Sequence, residues 1–170
     1  RLAFHTNGIL AKRARLARLL PLVDTLGFSI SATDEETYRR AHGTGAFRVV
    51  MQNLRDLSEL LLAMPPDRRP HVFVDYVAQA ANAHEAEAAT RDFFLTRFPG
   101  LASVDFHWVY NFQGEIAEGN LAIYDQVPQA MFPACVFPWA SFTVCHDGKV
   151  SYCFVEPREN AFLGDLSRQG

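Results

Sequence analysis

The sequence predicts an α/β fold on parallel strands, followed by a small cysteine-bearing β-hairpin module. Three observations predict it. Strand segments rich in valine and aromatics alternate with helical segments through the first part of the chain, the pattern of crossovers onto a parallel sheet. After Gly119 the pattern changes, and two alternating segments flank Asp147-Gly148, a hairpin signal. All three cysteines, Cys135, Cys145 and Cys153, fall in that later part.

Leu2-Ala3-Phe4-His5 reads as a strand entering the turn Thr6-Asn7-Gly8, where Asn and Gly tolerate positive φ. Residues 9–20 place Ile9, Leu10, Leu16, Leu19 and Leu20 at helical spacing. Lys12, Arg13, Arg15 and Arg18 among them read as a solvated helix face, with an acidic partner as the alternative. A second strand runs Gly27 to Ser31, and Thr33 with Glu36 forms a capping box opening a short helix that Gly43 and Gly45 end. A stronger helix follows, with Phe47, Val50, Met51, Leu54, Leu57 and Leu61 on one face, stopped by Pro65-Pro66.

The third strand spans His71 to Gln79. Asn82 and Glu85 then read as the cap pair of a helix reaching about Phe98, closed by Pro99-Gly100. The fourth strand, Val104 to Phe112, puts Val104, Phe106, Trp108 and Tyr110 on one side and Asp105, His107 and Asn111 on the other. In the module, Phe142 to Cys145 and Val150 to Phe154 form the hairpin, and the tail from Glu156 to Leu166 reads as irregular.

Composition narrows the function classes. The net charge of −3 gives no global basic field for nucleic acid. The longest apolar run, Leu60 to Met64, is far too short for a bilayer, and no secretory pattern is visible, so a cytoplasmic protein is expected. The chain opens at Arg1 directly into a strand, and four parallel strands alone leave two unpaired edges. A portion of a longer protein is therefore expected.

An odd number of cysteines argues against a simple disulfide framework, and their clustering favours metal binding, with small buried residues plus a spare thiol as the alternative. The turn at Asp147-Gly148 can bring Cys153 back near the loop bearing Cys135. Thiolates so placed suit an iron–sulfur cluster or zinc. His146 beside Cys145 is a further zinc ligand or a solvated turn residue. Asp105 and His107 could form an acid–base pair, or simply line a barrel interior or a polar outer face.

The segment Cys135-Val-Phe-Pro-Trp139, then Asp147-Gly148-Lys-Val-Ser-Tyr-Cys153, then Leu163-Gly164-Asp165-Leu166, resembles the opening of the SPASM/twitch domain of radical S-adenosylmethionine (SAM) enzymes. Thr6-Asn7-Gly8, Ser29 to Tyr38, Phe47 to Leu57, and Val77-Ala78-Gln79 with Asn82 and Glu85 resemble, in family order, the later strands and helices of the radical SAM barrel. The resemblance implies a partial (β/α) barrel over residues 1–118 and the start of a SPASM/twitch domain over 130–170. It implies Cys135 and Cys153 as ligands of an auxiliary 4Fe-4S cluster, with no place for Cys145.

By the same resemblance, Ser29 is a candidate contact to a SAM ribose hydroxyl, against the alternative of a small residue in a tight sheet. Gln79 is a candidate hydrogen-bond partner near the adenosine or methionine moiety. Asn82 is a candidate ligand, although capping also explains it. Many relatives carry a carboxylate where this chain has Ser31.

Relatives with auxiliary clusters often act on peptides or proteins, so a peptide or protein substrate is implied, with small-molecule chemistry open. The CxxxCxxC triplet that holds the family's catalytic cluster is absent, as is the second-strand motif for the SAM amino group. This chain alone is therefore not expected to make the 5′-deoxyadenosyl radical. The alternative is a module without catalysis, in which Cys135, Cys145, His146 and Cys153 hold structural zinc or the chain binds a partner. A flavodoxin-like domain is disfavoured, because no glycine-rich phosphate loop follows a strand.

Overall fold

The computed structural model describes residues 1–108, 139, 142–152 and 162–169, and the chain divides into two units, Arg1–Val109 and Tyr110–Gly170. In the first unit, strand β1 (Ala3–Thr6) leads to helix α1 (Arg13–Leu19), then β2 (Thr25–Ser29) and α2 (Glu35–His42). Helix α3 (Phe47–Ala63) precedes β3 (His71–Ala78), α4 (Glu87–Arg97) and β4 (Ser103–Trp108). The four strands are parallel and lie side by side in chain order, β1-β2-β3-β4. The parallel α/β expectation therefore holds.

Strand alternation divides this sheet into two different faces. One carries Leu26, Phe28 and Ile30, then Val72, Val74 and Tyr76, then Val104, and these join one apolar core. Leu16 of α1, Tyr38 of α2, Val50, Leu54, Leu57 and Leu61 of α3, and Phe94 of α4 complete that core. The helices thus pack on a single side. Asn53, buried on α3, fastens the loop after β1 by donating to the carbonyls of Gly8 at 2.7 Å and Ile9 at 3.2 Å. The other face carries His5, Gly27, Ser29, Phe73, Asp75, Ser103, Asp105 and His107. Among the described residues no helix covers it.

Two helix starts differ from expectation. Helix α2 is capped by Asp34, whose carboxylate accepts from the amides of Glu36 and Thr37, both at 2.9 Å. An ionised carboxylate is a stronger acceptor than the Thr33 hydroxyl, and the Thr33 amide turns instead to Glu85 at 3.0 Å. Helix α4 begins only at Glu87, with Ala86 at its cap and no side-chain cap bond. Asn82 and Glu85 are drawn away by partners on β2, β3 and the loops after them, as described below. Helix α1 is likewise shorter than expected, continuing into a 3-10 turn at Leu20–Leu22 where Pro21 intervenes.

In the second unit, β5 (Thr143–Val144) and β6 (Lys149–Ser151) pair antiparallel around the Asp147-Gly148 turn, with Gly148 at φ 86°. A third strand, β7 (Phe162–Asp165), pairs with β6 and leads to a short helix, α5 (Leu166–Gln169). The sequence alone predicts an irregular tail there, and β7 differs from it. Its partner is supplied by β6, so only tertiary pairing makes it a strand. Among the described residues, no helix is long and apolar enough to cross a membrane.

Candidate functional site on the uncovered sheet face

The site begins with a missing side chain. Gly27 of β2 lies in register between His5 of β1 and Phe73 of β3. A Cβ there would stand 2.9 Å from the His5 ring and 2.8 Å from Phe73 Cζ. Without it, the His5 imidazole crosses the middle strand, meets Phe73 edge-on at 5.5 Å, and brings Nδ1 within 3.4 Å of Asp75 Oδ2. From the other side, His107 of β4 brings Nε2 within 3.3 Å of Asp75 Oδ1.

Asp75 is therefore a carboxylate bracketed by two imidazoles. Its side chain is only 16% exposed, whereas His5 and His107 are 58% and 49% exposed. Among the described residues, Asp75 Oδ1 is buried and no donor meets it in hydrogen-bond geometry, the His107 ring included. A buried acceptor without a donor is costly unless a proton or ligand meets it. The array can fix the orientation of both rings against one carboxylate and present them on the exposed face of the sheet. The Asp105–His107 pairing suggested by alternation does not form. His107 turns to Asp75, and Asp105 accepts from the Ser103 hydroxyl at 2.7 Å. Asn111 lies outside the described residues.

Ser29, at the end of β2, occupies the same face and is in register with Asp75 and, through it, with Asp105. It is half-buried. Gln79 follows the end of β3 and is half-buried too, and its amide donates to Asn82 Oδ1 at 2.8 Å.

Asn82 is 2% exposed and works as a clamp. Its amide group donates to the carbonyls of Ser31 and Val77, both at 2.9 Å. Ser31, also buried, accepts from the Val77 amide at 3.1 Å through its hydroxyl, and its own amide donates to His42 Nε2 at 3.0 Å. His42 stacks on Tyr38 at 4.3 Å, and burial holds its pKa below the ordinary imidazole value. These bonds join the carboxyl ends of β2 and β3, where ligands of parallel sheets bind.

Sequence reasoning missed His5 and Asp75. Asp75 interrupting the apolar run of β3 was the available signal. Of the expected metal ligands, Cys135 and Cys153 lie outside the described residues. Cys145 is a half-buried free thiol and His146 is exposed beside it.

No protein-family model, no curated protein and no solved structure matches this chain.

Proposed function

We propose that this chain is the later part of a radical SAM barrel joined to the start of a SPASM/twitch module, within an enzyme acting on a peptide or protein. The observation that carries the reading is the sheet itself. Its parallel strands run in unbroken chain order, its helices lie on one side, and its other face is polar. A singly wound barrel has that layout, with helices outside and functional side chains inside. A doubly wound flavodoxin-like sheet reverses strand order and has helices on both faces.

The residues fit SAM unevenly. Ser29 offers a half-buried hydroxyl on the polar face, suited to a ribose hydroxyl, and Gln79 stands at the carboxyl end of β3. Asn82 fits a direct contact poorly, because its amide group is engaged with Ser31 and Val77. Its part in this reading is to hold the turn that presents Gln79. When bound in the intact enzyme, SAM supplies a hydrogen-abstracting radical. The His5–Asp75–His107 array would present two imidazoles and a carboxylate to a substrate on the same face, with Phe73 and Gly27 forming its floor.

Anaerobic reconstitution with iron and sulfide tests the reading. A brown protein with matched iron and sulfide, lost in Cys135→Ala and Cys153→Ala but kept in Cys145→Ala, supports an auxiliary 4Fe-4S cluster. Zinc without sulfide, lost in Cys145→Ala as well, supports the metal-binding module instead; the placement of Cys145 and His146 together at a hairpin turn favours that second reading. A protein that holds neither overturns both.

A further inference from the structure

We propose that Asp34, His84 and Glu85 form a site for a divalent cation of the manganese type, tying the loop after β2 to the connection before α4. One ligand atom from each residue, two carboxylate oxygens and a ring nitrogen, lies within 4.8 Å of the others. Carboxylates with an imidazole are a donor set suited to hard and borderline divalent metals rather than to thiophilic ones.

Each ligand is held from outside the cluster. Asp34 Oδ1 is fixed by the Glu36 and Thr37 amides, and Oδ2 by the Thr37 hydroxyl at 2.7 Å. Glu85 Oε1 is fixed by the Thr33 amide at 3.0 Å, and Oε2 by the Tyr76 hydroxyl at 2.8 Å. His84 Nε2 stands 3.3 Å from the Thr37 hydroxyl. Such outer contacts orient metal ligands, and a carboxylate oxygen with one donor keeps a lone pair to give.

Charge points the same way. Among the described residues no lysine or arginine pairs with Asp34 or Glu85, so two carboxylates converge with only an imidazole beside them. A cation here would relieve that repulsion and complete a bridge between two loops at the carboxyl edge of the sheet. The proposal does not depend on the radical SAM reading.

Manganese is the probe of choice, because thiolates bind it weakly and the cysteines then do not compete. Titration followed by electron paramagnetic resonance is expected to show one bound Mn2+ per chain and a higher thermal midpoint in its presence. His84→Ala removes an exposed ligand with a single side-chain partner and is expected to keep the fold by circular dichroism. Its affinity should fall at least ~10-fold, and Glu85→Gln should do the same. No bound Mn2+ at millimolar metal, or equal binding by the folded His84→Ala protein, overturns the proposal.

Discussion

His5 and Asp75 stand on strands that are not neighbours, yet His5 Nδ1 reaches within 3.4 Å of Asp75 Oδ2, because Gly27 on the strand between them has no side chain. Gly27→Ala places a methyl where His5 and Phe73 already lie. The expected cost is about 1–3 kcal/mol, the range for overpacking a tight site. Urea denaturation measures it. A neutral substitution would mean that the imidazole is free to swing away, and that the array is loosely held.

Asn82 anchors the carboxyl ends of β2 and β3 through three hydrogen bonds to backbone groups. Asn82→Ala leaves the Ser31 and Val77 carbonyls and the Gln79 amide short of a partner, and a loss of about 2–4 kcal/mol is expected. Asn82→Asp keeps an acceptor for Gln79 but loses both donors, so it should recover only part of that loss. Denaturant midpoints of the two variants separate the donor and acceptor contributions.

Helix α2 offers a direct comparison of two candidate caps. Asp34→Ala is expected to cost about 1 kcal/mol, since it removes the acceptor of the Glu36 and Thr37 amides. Thr33→Ala should stay within about 0.5 kcal/mol, because the Thr33 contact to Glu85 is made by its backbone amide. If Thr33→Ala proved the more damaging, the capping box read from sequence would be the correct one.

His42 gives the fold a pH dependence of defined sign. Its Nε2 accepts the Ser31 amide, so the ring must be neutral at that nitrogen, and burial lowers its folded-state pKa. The unfolded chain takes up this proton near pH 6.5, the folded chain only at lower pH. The contribution of His42 to stability is therefore complete above pH 6.5 and declines as pH falls below it. Equilibrium unfolding at pH 7.5 and pH 5.5, compared with His42→Gln, isolates the effect. The variant should lose part of the pH dependence, and an unchanged slope would place the acid sensitivity elsewhere.

Much of the fold was legible because its signals are local. The spacing of Val50, Leu54, Leu57 and Leu61 became the buried face of α3, Gly43 and Pro65 ended their helices, and Asp147-Gly148 made its turn. Alternating strands and helices sufficed for a parallel sheet. In each case the deciding interactions lie within a few residues along the chain, where periodicity and turn chemistry act.

The candidate site was legible only in part. His107 could be placed on a polar face by alternation, and Ser29 was a candidate only by resemblance. The partner of His107 could not be read, because Asp75 and Asp105 both face the same side and only the register and side-chain reach choose between them. Asn82 and Glu85 looked like helix caps because their types and spacing suit one. Asn82 does take part in a capping box, but for the 3-10 turn Ala80–Asn82 through the Gln79 amide rather than for α4. It also bonds Ser31 and Val77, while Glu85 bonds Thr33 and Tyr76.

By itself, then, the sequence determined most of the helices, strands and turns of the first unit, that its strands run parallel, and the Asp147-Gly148 hairpin turn. Tertiary structure alone decided which polar groups meet: His5 with Asp75 across Gly27, Asn82 with the end of β2, and β7 with β6. The physical reason is that a buried polar group must find a partner wherever the packing places one, and residues far apart in the chain supply most of those partners here.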